Sequence, residues 1–119
     1  MRHEMLNFPN ENCEPLLESD DGFRMVPIVR RFIELSRSFH KEEMPTEKEW
    51  RELDRAFLEK APEYRTFLRE RLTNRRQYRV AQLMLLGLRS KSIMPLMGIN
   101  SFQQVSNIKR IIRLRLLNE

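Results

Sequence analysis

The sequence predicts an all-α fold: a small helical bundle ending in a helix-turn-helix whose last helix is long. Three observations point there. Apolar residues recur at three- and four-residue spacing along most of the chain, and no segment alternates apolar and polar residues as a half-buried strand does. Helix-start signals precede these periodic segments, at Pro27, at Thr46 with Glu49, at Pro62 and at Asn74. Finally, 33% of the 119 residues are charged and only three are glycine, which suits solvated helix faces better than turn-rich sheets.

The chain divides into 1–21, 22–44 and 45–119. Residues 1–21 read as a flexible N-terminal tail, because Pro9, Pro15 and the acidic run Glu18-Ser19-Asp20-Asp21 cannot bury much apolar surface. From Gly22 to about Lys41 a helix is expected, with Pro27 in its first turn. Val26, Val29, Phe32, Ile33 and Ser36 follow helical spacing, and Phe39 lies near the end. This apolar face packs either on the rest of the chain or on its counterpart in a homodimer.

Met44-Pro45 ends that pattern. Thr46 and Glu49 form the next N-cap pair, and the helix to about Lys60 carries Trp50, Leu53, Phe57 and Leu58 on one stripe. Trp50 reads as core, being a lone aromatic on a regular apolar stripe. Along the same helix Glu47 and Arg51, and Arg51 and Arg55, are i,i+4 neighbours of mixed benefit. Ala61-Pro62 opens a helix with Tyr64, Phe67, Leu68 and Leu72 inward and Arg65, Arg69 and Arg71 outward. Asn74 and Gln77 offer a second capping box for a helix from Arg75 to Leu86, whose apolar face is Tyr78, Ala81, Met84, Leu85 and Leu88.

Leu86-Gly87-Leu88 ends that helix, glycine past the last turn being the usual left-handed stop. A short helix follows. With Ser92 as its N-cap, Pro95 falls in the first turn, where its missing N–H is no loss; with Ser90 as N-cap, Pro95 costs a bond. The spacing favours the start at Ser92. Gly98-Ile99-Asn100 makes a turn, and Asn100 or Ser101 caps the final helix. Projected at about 100° per residue, that helix places Phe102, Val105, Ile108, Ile112 and Leu116 on a core side. Gln103, Asn107 and Arg110 fall opposite, with Ser106 on the flank. Ile111, Leu114 and Leu117 form a second apolar stripe.

Charge is unevenly distributed. Residues 1–64 carry 10 Lys/Arg against 15 Asp/Glu, a net of −5, whereas residues 65–119 carry 12 against 2, a net of +10. The basic half is the half with the helix-turn-helix pattern, and such a field draws in a polyanion.

The order of these segments carries a resemblance. Trp50 with Leu53, Phe67 with Leu68, Tyr78-Arg79, Leu86-Gly87 and Val105 with Asn107 resemble the LuxR/GerE-like, sigma region four-like helix-turn-helix domain at the C-terminus of predicted transcriptional regulators of Bacteroidetes-type bacteria. The similarity covers roughly 45–118. It implies a recognition helix that reads the major groove of double-stranded DNA. Gln103, Gln104, Ser106, Asn107 and Arg110 are then the base-contact candidates, since Asn and Gln suit adenine edges and Arg suits guanine. Arg75, Arg76, Arg79, Arg89, Lys91, Lys109 and Arg113 are the phosphate candidates. In that family the domain usually follows a longer sensor region, so the chain reads either as a piece of such a regulator or as its output domain alone.

The chain departs from the pattern at Pro95, where an ordinary helix former is usual, and at the Ile111, Leu114 and Leu117 stripe. Burial of that stripe in the chain's own core leaves the DNA reading intact. Exposure favours a surface for a homodimer or another partner, and with it a helical protein-interaction module that does not bind DNA.

Other chemistry is not indicated. His3, His40 and Cys13 lack metal-ligand spacing, there is no glycine-rich phosphate loop, and neighbouring carboxylates do not share a helix face. No enzyme activity, metal or cofactor is expected. A single cysteine excludes an internal disulfide, mean hydropathy is −0.61, and neither a signal peptide nor a membrane span is apparent, so a cytoplasmic location is expected.

Overall fold

The computed structural model describes residues 23, 25–37 and 44–117. The expected tail at 1–21, His3, Cys13, and Phe39 and His40 at the end of the first expected helix lie outside them. Six helices are described: α1 (Pro27–Leu35), α2 (Glu47–Lys60), α3 (Pro62–Arg71), α4 (Arg75–Leu85), α5 (Ser90–Met97) and α6 (Phe102–Leu117). Among the described residues there is no strand. The all-α expectation is met.

α1 starts at Pro27 with Val26 as an extended N-cap. Val29, Phe32 and Leu35 are buried and face α2. The Phe32 and Trp50 rings meet edge to face at 4.9 Å, and Phe23 tilts against Phe57 at 5.0 Å; pairs of this kind add about 1 kcal/mol to area burial. Trp50 is core, as expected. Of the two alternatives for the face of Val26, Val29, Phe32 and Ile33, the structure shows packing on the chain itself: Val29 and Phe32 are fully buried in its core and the partly buried Val26 and Ile33 pack against it.

α2 opens with the expected capping box. The Glu49 N–H donates to Thr46 Oγ1 at 3.1 Å and the Thr46 N–H to Glu49 Oε1 at 2.9 Å. Its buried side is Trp50, Leu53, Ala56 and Phe57. Leu58, expected on that stripe, is exposed, because it sits a full helical step beyond Phe57 and turns away from the core. α3 buries Phe67 and Leu68, and Leu72 closes its C-terminus. Arg65, expected outside, is instead half-buried in an ion pair with Asp54.

α4 is the centre of the bundle. Six consecutive residues, Val80 to Leu85, are buried, and a helix covered all round must be surrounded by others; α3, α5 and α6 pack on it. Only half of its expected capping box forms: the Gln77 N–H donates to Asn74 Oδ1 at 3.0 Å, while the Gln77 side-chain oxygen Oε1 is buried without a partner among the described residues. Gly87 follows at φ 88°. The Leu88 N–H reaches Leu83 O and the Gly87 N–H reaches Met84 O, the paired bonds of a Schellman stop.

The start of α5 differs from expectation. It begins at Ser90, with Arg89 extended as N-cap and Pro95 inside the helix. Ser90 is not a cap, because its hydroxyl points inward and accepts from Lys109 Nζ at 3.0 Å. Pro95 removes one bond, to the Lys91 carbonyl. Both residues lie on the exposed side, so water can take the carbonyl's place. Gly98 at φ 67° ends α5, with Ile99 N–H bonded to Met94 O at 2.9 Å.

Candidate nucleic-acid interface

α5, the four residues Gly98 to Ser101, and α6 form the candidate site. The left-handed Gly98 reverses the chain, and Ile99 is buried under the turn. Ser101 starts α6: its hydroxyl accepts from the Gln104 N–H at 3.2 Å, which satisfies one of the open donors of the first turn. The 16-residue α6 then lies along α4 and α5, held by Val105, Ile108, Ile112 and Leu116, all buried.

Two side chains of α6 depart from their expected places. Phe102 is 61% exposed, because it begins the helix beyond the end of the groove that takes Val105. Lys109, a phosphate candidate, is only 5% exposed and donates to Ser90. The helical projection contains the reason: Lys109 falls about 40° from Val105, inside the arc assigned to the core.

Opposite the buried side, α6 changes chemistry halfway along. Gln103, Gln104 and Arg110 are exposed, and Ser106 and Asn107 are half-buried. Arg110 Nη2 donates to Asn107 Oδ1 at 3.4 Å, so these two side chains lie one turn apart on one face. The five base-contact candidates lie within the first nine of the helix's 16 residues. The second half of that face carries Leu114 and Leu117, 57% and 74% exposed, with Ile111 half-buried beside them. The second stripe is not core.

The remaining phosphate candidates separate into groups. Arg89 and Lys91, both exposed, share a shallow cleft with Arg37 and Ser36 where α5 begins. Arg75 and Arg76 are exposed at the start of α4. Arg113 is half-buried on α6. Arg79 is held within the protein: it pairs with Glu47 at 2.7 Å and lies 4.7 Å over the Trp50 ring. The Arg79 hydrogen bond and charge hold the Glu47 carboxyl below the usual carboxylate range.

Next to Arg79 is a polar cluster the sequence did not announce. Asp54 on α2 accepts from Arg65 Nε at 3.0 Å, from Gln82 Nε2 at 3.1 Å and from the Tyr78 hydroxyl. One carboxylate thus ties α2 to α3 and α4. Burial, and then the Asp54 carboxylate, push the Tyr78 phenol well up. Beside the cluster, Arg51 and Arg55 of α2 share a cleft with Arg75 and Arg79 of α4. The only sequence signal for that pair was the i,i+4 spacing on α2.

Among the described residues no three His, Cys, Asp or Glu side chains converge as metal ligands do, and no helix is long and apolar enough to cross a membrane. No family model, curated protein or solved structure matches the chain, so the resemblance to LuxR/GerE-like domains rests on its residues alone.

Proposed function

We propose that the chain is a sequence-specific DNA-binding transcriptional regulator, or the output domain of one, with the first half of α6 reading bases in the major groove. The observation that carries this reading is the polar face of exposed Gln103 and Arg110 and half-buried Asn107 on a long helix capped by Ser101, reached from a shorter helix through a left-handed glycine turn. Side chains of these types can pair with base edges. Arg75, Arg76, Arg89 and Lys91, exposed in the basic half of the chain, supply positive charge toward phosphates. The test is electrophoretic mobility with random and selected duplexes at about 50 and about 200 mM salt. Steep weakening with salt, with selected sequences surviving, is the expected result. Uniform loss would leave charge without readout, and no binding at low salt would remove the proposal.

A second reading is favoured by the exposure of Leu114 and Leu117. In it α6 is a protein-interaction surface, for a second copy or another partner, and DNA is not bound. Apolar side chains grouped at a helix end point to such surfaces. Sedimentation of the wild-type chain and of Leu114→Glu separates the two: a concentration-dependent dimer lost in the variant supports interaction, and an unchanged monomer removes self-association.

A further inference from the structure

The α2–α4 cleft is distinct from the face of α6. It has a volume of about 370 Å³ and is walled by Arg51, Arg55, Arg75 and Arg79, with Leu58 and Tyr78 contributing apolar surface. Cavities of this size hold small ligands. Arg51, Arg55 and Arg75 are exposed and make no ion pair or hydrogen bond among the described residues. Two nearby carboxylates offset them only in part. Asp54, itself on the cleft wall, pairs with Arg65 at 3.0 Å, and Glu47 pairs closely with Arg79 at 2.7 Å while also feeling the charges of Arg75 and Arg51. Four arginines from two helices against the single Asp54 carboxylate leave the cleft wall with an excess of positive charge, which a bound anion offsets.

We propose that this cleft binds a compact polyphosphate, the diphosphate or triphosphate end of a nucleotide or the free ion. Guanidinium forks match phosphate oxygens two at a time. A volume this small answered by several arginines calls for dense charge, which linked phosphates carry and a carboxylate side chain does not. Leu58, whose exposure left the α2 stripe incomplete, gives the ligand an apolar edge beside its charges. The α2 wall of the cleft belongs to a helix that packs on α1 and α3, whereas α6 packs chiefly on α4 and α5, so substitutions at Arg51 and Arg55 lie away from the helix that α6 chiefly rests on.

The test is isothermal titration of the full chain with pyrophosphate, with adenosine triphosphate and with poly-glutamate. Each is repeated on Arg51→Gln/Arg55→Gln and on Asn107→Ala/Arg110→Ala, with thermal melts confirming that both variants fold. Expected is saturable binding of pyrophosphate or the nucleotide, weakened at least about tenfold in the α2 variant and unchanged in the α6 variant. Tighter binding of the nucleotide than of pyrophosphate identifies the nucleotide as the source; equal binding identifies the phosphate chain alone. Absence of polyphosphate binding, equal binding by the α2 variant, or binding of poly-glutamate alone would overturn the proposal. Loss of duplex DNA binding in the α6 variant with polyphosphate binding intact separates this cleft from the DNA reading.

Discussion

The Lys109 ammonium donates to the Ser90 hydroxyl at 3.0 Å, and both residues are buried where α5 meets α6. A lysine from the basic half of the chain is thereby spent on fixing two helices rather than presented to solvent. Removing the hydroxyl takes one hydrogen bond from a buried ammonium, a loss of about 1–3 kcal/mol. Ser90→Ala should therefore destabilise the fold by about that amount. Lys109→Met keeps the stem's volume, and the double variant should cost less than the sum of the two. Urea unfolding of the four proteins measures this. If DNA is bound, Lys109→Met should leave the salt slope of binding unchanged, because a buried ammonium releases no counterion.

Asn107 and Arg110 sit one turn apart on the exposed face of α6. Replacing each by Ala should cost about 1–3 kcal/mol per lost base contact and relax sequence preference. Arg89→Gln should instead weaken all duplexes alike and flatten the salt dependence. Competition binding against selected and random duplexes reads both. An unchanged preference in the Asn107→Ala/Arg110→Ala variant would remove the assignment of these two side chains to bases.

Tyr78 donates its hydroxyl to Asp54, and burial and that carboxylate raise its pKa. A raised folded value means that the neutral phenol is favoured by folding. That stability is fully present below the unfolded value of about 10 and is lost as pH rises through the higher folded value. Tyr64 is raised as well, mainly by burial. Phenolate absorbance should accordingly develop above pH ~10 and accompany alkaline unfolding. In Asp54→Asn, Tyr78 should titrate at lower pH than in the wild type, and stability at neutral pH should fall by about 1–2 kcal/mol through the partly exposed Arg65 pair.

Gly98 holds φ 67° between α5 and α6, and a Cβ there would lie 2.8 Å from the Met44 sulfur. Met44 is exposed and can swing aside, so the backbone conformation sets the cost. Gly98→Ala should lose about 1–2 kcal/mol, and Gly98→Asn less, since asparagine tolerates this region. The check is a lower urea midpoint at unchanged slope.

Much of the fold was legible locally. Thr46 and Glu49, Pro62, Gly87 and Gly98 act through their own backbone neighbours, so their roles as caps and stops need no tertiary information. The one-sided faces of α1, α2 and α3 were legible for the same reason, apart from their edges at Leu35 and Leu58. α4 was read as one-sided and is buried all round from Val80 to Leu85, because how many neighbours cover a helix is not a property of its own periodicity.

The candidate site divides along the same line. Residue pattern alone specifies an all-α chain, the order of its helices, a basic second half and a polar stretch early in α6. Packing between the helices sets which charged groups remain available. It buried Lys109 against Ser90, tied Arg79 to Glu47 and Arg65 to Asp54, left Leu114 and Leu117 in solvent, and brought Arg51 and Arg55 beside Arg75. Ion pairs between helices depend on which faces meet across tens of residues. Periodicity along one helix carries the direction of each side chain, but not what it finds there.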